Sequence, residues 1–119
     1  MKTIVKHFHG LSGTTETHAL DLKVQEHSKQ TWEFYASGTG NTIRIKLKSV
    51  FVDAAGNEVS NSGSGDTAGI DIQTIDLTNN VLQITTFDFK LHHVRCTYDD
   101  QGSGAMNGVL WIKATAAKD

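Results

Sequence analysis

Six histidines, His7, His9, His18, His27, His92 and His93, are the side chains of this chain best suited to holding a metal or moving a proton. His7 and His9 lie two apart in an extended segment, Lys2 to His9, so both imidazoles leave the same face of a strand. In a threefold assembly such a pair would bring six imidazoles to one axis, a set suited to an octahedral transition metal. The plainer reading is a solvated strand face. His92 and His93 are adjacent, so on a strand they point to opposite faces. The acids of the loops, Asp66 beside Gly65 and Thr67 and Asp99–Asp100 with Gln101, lack the regular oxygen spacing of a calcium loop. Turn chemistry, in which Asp and Asn bond their own backbone, accounts for them. No GxSxG, HExxH or Cys–His arrangement is present. SGTG at Ser37–Gly40 and SGSG at Ser62–Gly65 lack the lysine of a phosphate loop. The sequence therefore predicts no catalytic residues, no metal and no required cofactor.

Four large aromatics offer a different chemistry. Trp32, Phe34 and Tyr35, with Trp111 near the C-terminus, could stack on sugar rings. Trp32 and Phe34 share one strand face and Tyr35 takes the other, so the group is split. A core role explains Trp32 and Phe34 better. Cys96 is the single cysteine and cannot form an internal disulfide; within a strand it reads as a small buried hydrophobe.

These side chains must be positioned by strands. Thr17 to Val24 sets Leu20, Leu22 and Val24 against Ala19, Asp21 and Lys23. Thr31 to Ala36 carries the aromatics, and Asn41 to Asp53 places Ile43, Ile45 and Leu47 inward with Arg44, Lys46 and Lys48 toward water. Contiguous apolar residues at Ser49 to Val52 suggest a bulge or a strand covered on both faces. Ile70 to Leu77 and Val81 to Thr86 follow, joined by a turn at Thr78–Asn80. Phe87, Phe89 and Leu91 fall on one face, and the run through His93 to Tyr98 continues as a strand. After Asp99–Gly104 the chain restarts at Val109 to Ile112, so the C-terminal third reads as a hairpin. Ile43, Ile45, Leu47, Phe87, Phe89 and Leu91 are the expected core. Only Lys23 to Gln30 could hold a turn or two of helix. The expected fold class is an all-β antiparallel sandwich, jelly-roll or Ig-like, of roughly eight strands.

A length of 119 residues suits one domain, 1–119, with a long flexible Gly/Ser-rich loop at about 54–69. A net charge of −2, without a basic cluster, gives no reason to expect nucleic acid. No stretch approaches the ~20 apolar residues that span a bilayer. The N-terminal apolar run is too short for a signal peptide, so synthesis and retention in a cytosol are expected. Proline is absent, which removes one common guard against edge-to-edge strand pairing, although lysines and histidines could guard the same edges.

The stretch from Thr31 to Ala114 resembles the small β-sandwich virion proteins of tailed bacteriophages. The residues that carry this are Phe89, Val94–Arg95, the Gly-rich turn Gly102–Gly108 and the final apolar strand Val109–Ile112, with Asp53–Gly56 as an earlier turn. Arg95 by itself reads as one exposed basic residue on a strand. The resemblance implies a non-enzymatic structural protein of the virion, made in the host cytoplasm. Its role would be capsid decoration or auxiliary protein, or a neck or tail component, forming a homo-oligomer and binding other virion proteins. The alternative is a carbohydrate-binding, lectin-like module for host-surface glycans. Exposed aromatics paired on one face would favour the sugar module; exposed apolar strand edges would favour assembly.

Overall fold

Period-two alternation gives each extended segment one apolar face, and two such faces packed together make the core. A computed structural model describes residues 3–12, 15–23, 29–40, 42–55, 57–59, 67–87, 93–100 and 107–117. Among them ten strands form: Thr3–Gly10 (β1), Thr17–Lys23 (β2), Lys29–Ser37 (β3), Ile43–Ser49 (β4), Phe51–Val52 (β5), Glu58–Val59 (β6), Ile70–Leu77 (β7), Gln83–Phe87 (β8), His93–Asp100 (β9) and Val109–Ala117 (β10). No α-helix occurs among the described residues, and those of Lys23 to Gln30 that are described belong to β2 and β3.

Two four-stranded antiparallel sheets, ordered β1-β10-β3-β8 and β2-β9-β4-β7, stack face to face. Leaving aside the small β5–β6 hairpin, the pairing is nested. The first strand pairs with the last, the second with the next to last, and so inward to β4 with β7. That is a long antiparallel ribbon rolled into two sheets, the jelly-roll arrangement. The sandwich expected from the alternation is present, and the jelly-roll form of it.

The core is formed by Leu20 and Leu22, Trp32 and Phe34, Ile43, Ile45 and Leu47, Leu77, Val94, Cys96 and Tyr98, and Leu110 and Ile112. Four of the six expected core residues are buried: Ile43, Ile45, Leu47 and Phe87. Phe89 and Leu91 lie outside the described residues. Trp32 and Phe34 are core residues, with their rings nearly parallel at 6.3 Å. Phe8 of β1 meets Tyr98 of β9 at 5.5 Å, linking the two sheets.

Three expectations are corrected. The C-terminal third is not a hairpin: β9 pairs with β2 and β4, whereas β10 pairs with β1 and β3 in the other sheet. Alternation fixes which face a residue takes but not which strand lies beside it. The eight residues between β9 and β10 far exceed a tight hairpin turn. The irregularity near the end of β4 falls at Leu47/Lys48 against β7, ahead of the apolar run that suggested it. Finally, Lys48 and Arg95 do not face water; each is buried.

Of the segment 54–69, residues 56 and 60–66 lie outside the described residues. Before the latter stretch β6 pairs with β5, and after it Ala68 is buried. The turn at Thr78–Asn80 forms as expected, with Asn80 in the left-handed region at φ 64°. Its amide donates to the carbonyl of Ala36 at 2.7 Å.

Candidate functional site

The two sheets present outer faces of opposite character. On the β2-β9-β4-β7 sheet, the side chains pointing away from the core include Asp21, His93, Arg95, Thr97 and Lys48, and the last four are buried. They are covered by Glu16, Glu58 and the backbone of Thr67 and Ala68. Arg95 donates from Nε and Nη2 to the two oxygens of Asp21, at 2.9 Å each. Its Nη1 donates to the Ala68 carbonyl at 3.2 Å, and Nη2 also lies 2.9 Å from Glu58 Oε1.

His18 Nε2 lies 2.8 Å from Asp21 Oδ1. His93 Nε2 lies 2.9 Å from Asp21 Oδ2, a hydrogen-bond distance without the angle of one. Burial pushes the Asp21 carboxyl upward. His93, Arg95 and His18 around its oxygens more than reverse this and hold it far below the usual carboxylate range.

Beside this cluster, Lys48 Nζ donates to the Thr67 carbonyl at 2.7 Å and lies 2.8 Å from Glu16 Oε2. Thr97 Oγ1 donates to the same Glu16 oxygen at 2.6 Å. Burial raises the Glu16 carboxyl, and Lys48 and Thr97 bring it below its ordinary value. Every charge here is matched by a neighbour, so the cluster ties loop segments to the sheet. Buried charges are tolerated only when paired in this way.

The outer face of the β1-β10-β3-β8 sheet is open. Strand register sets side chains in cross-strand rows. One row runs His9, Trp111, Tyr35, and the next runs His7, Lys113, Glu33, Ile84. The His9 and Trp111 rings are 5.4 Å apart and those of Trp111 and Tyr35 5.7 Å, each pair tilted. Trp111 is 41% exposed. Lys113 Nζ stands 3.9 Å from Glu33 Oε2, and the Tyr35 hydroxyl donates to Asn80 Oδ1 at 3.4 Å. His7, His9, Glu33, Tyr35, Trp111 and Lys113, with Leu82, line a groove of about 510 Å³.

The sequence-level candidates fall as follows. His7 and His9 share one exposed face, as their spacing requires, and meet Lys113 and Trp111 across the strand gap. No group of three or more His, Cys, Asp or Glu side chains is arranged to hold a metal ion among the described residues. His93 is buried beside Asp21, while His27, His92, Asp66 and Gln101 lie outside the described residues. Asp99 sits opposite Arg44 near the end of β9. Cys96 is fully buried, which pushes its thiol up and leaves it unreactive. Tyr35 and Trp111, separated by 76 residues, are brought side by side. The sequence groups Tyr35 with Trp111 among four aromatics and sets Tyr35 opposite Trp32 and Phe34, but does not single out Tyr35 and Trp111 as neighbours on one face. The usable signal was parity: with Leu110 and Ile112 inward, Trp111 must face out.

No protein-family model matches the chain, and no curated protein matches it in sequence. Among solved structures it is similar to a Bacillus endospore appendage pilus protein, with TM-score 0.59 and 9% identity over 99% of this chain and 88% of that one. It is likewise similar to YomS, a protein derived from the SPBc2 prophage, with TM-score 0.55 and 18% identity over 98% and 95% of the two chains. PirA matches with TM-score 0.51 and 11% identity over 92% and 90%. Likeness at these identities is likeness of fold, over most of the length of each chain.

Proposed function

We propose that this chain is a non-enzymatic structural protein of a tailed-phage virion, a capsid decoration or auxiliary protein or a neck or tail component, that binds other virion proteins. The observation that carries the reading is the edge strand β1. It is eight residues long, has no proline, shows five exposed residues and pairs on one side only among the described residues. Lys6 is the only Asp, Glu, Lys or Arg on it, and the free backbone groups of such an edge are a template for strand addition. Val5 stands 45% exposed on it. Further exposed apolar side chains, Phe51, Ile70 and Ile84, lie on β5, β7 and β8. The prophage-derived YomS, matched over nearly its full length, supports the same direction.

The test is co-sedimentation of purified protein with undecorated heads and, separately, with tails. Saturable binding to one of them is expected, weakened by Val5→Lys, which places a charge on the edge. Binding to neither particle would overturn the proposal.

A further inference from the structure

The open face of the β1-β10-β3-β8 sheet has a chemistry that strand-edge assembly does not use. We propose that it is a glycan-binding site, with Trp111 as the central stacking platform, Tyr35 and His9 as flanking rings, and Glu33 and Lys113 as partners for sugar hydroxyls. The site rests on the face alone and does not depend on the virion reading.

A pyranose ring has an apolar C–H face and a rim of hydroxyls, so it needs an aromatic surface bordered by both donors and acceptors. The face supplies these in register. The His9–Trp111–Tyr35 row crosses three adjacent strands, hence two strand spacings, about 10 Å, which is room for consecutive sugar rings of a chain. Directly alongside, the row His7–Lys113–Glu33 sets a lysine ammonium that donates beside a carboxylate that accepts. Neighbouring rings in the row are tilted to each other by 37° and 47°.

Two other occupants fit less well. A protein partner would have to cover the Lys113–Glu33 pair, whereas interface cores are depleted in charge and a desolvated pair costs free energy. Nucleic acid would need unpaired cations along the aromatic row. Here Lys113 is matched by Glu33, and the chain carries a net charge of −2. A neutral polyhydroxyl chain satisfies both members of the pair without separating them.

The experiment titrates the intact protein with hexasaccharides of α-1,4-glucose, β-1,4-glucose, N-acetylglucosamine and rhamnose. Tryptophan fluorescence and calorimetry are the readouts, after a screen on an array of bacterial surface glycans. At least one glycan should bind and change the emission of the half-exposed Trp111, since Trp32 is fully buried. Trp111→Ala should weaken that glycan about tenfold or more, and Trp111→Phe, which keeps a ring, should retain most of the affinity. Circular dichroism of each variant checks the fold, and Trp111→Ala should still co-sediment with particles as the parent does. No binding across the panel and array would overturn the site, as would glycan binding unchanged in Trp111→Ala. Loss of particle binding in Trp111→Ala without any glycan binding would make the face a protein interface, again overturning it. Failure of particle binding alone leaves the glycan result standing.

Discussion

Ile45 has no exposed surface and lies opposite Ile75 of β7 on one side and Tyr98 of β9 on the other. Truncation there removes buried methyl groups and leaves a cavity that rigid strands cannot close. Ile45→Ala should therefore cost about 2–4 kcal/mol in urea unfolding. Ile84→Ala, at a position 59% exposed, should stay within about 0.5 kcal/mol. Gly108 is a second sensitive point. Its φ is 91°, and an added Cβ would stand 2.6 Å from the Ser37 carbonyl oxygen. Gly108→Ala should cost about 1–3 kcal/mol by the same measurement. Ile45 could be placed from the sequence, because alternation with Arg44 and Lys46 marks its face. Lys48 and Arg95 could not. Each sits on the polar side of its strand, and only residues distant in sequence, Glu16, Glu58, Thr67 and Ala68, turn that side into an interior.

At the scale of elements, the charged cluster on the β2-β9-β4-β7 sheet joins β2 and β9 to the covering segments around Glu58 and Ala68. Asp21→Asn removes the carboxylate and leaves the Arg95 guanidinium, nearly fully buried, with one fewer counter-charge. A loss of about 2–4 kcal/mol is expected. The acid dependence has a definite sign. The folded carboxyl titrates well below its ordinary 3.8, so its stabilising contribution is complete above that pH and fades as pH falls through the depressed folded value. The stability gap between parent and Asp21→Asn, read by urea unfolding at stepped pH, should hold steady from neutral to about pH 4 and narrow below it. A gap that widens in acid would contradict the assignment. The stretch from Phe87 to Tyr98 shows where element reading stops. It keeps strand character throughout, yet β8 ends at Phe87 in one sheet and β9 begins at His93 in the other. Alternation carries no mark of a change of sheet.

For the molecule as a whole, strand number and sandwich class followed from alternation and turn spacing. The nested order did not, since pairing of β1 with β10 or β2 with β9 is a property of the completed roll. The same limit hid the groove: Tyr35 and Trp111 meet only through the β3–β10 register. Thr3 pairs with Ala117, so the first and last strands lie side by side, their ends one strand spacing apart, about 5 Å. A linker of a few glycines and serines can join them into a ring, and new ends can be opened between Ala54 and Ala55 in the exposed turn of the β5–β6 hairpin. Such a circular permutant should fold to the same sandwich, with a far-ultraviolet dichroism spectrum matching the parent.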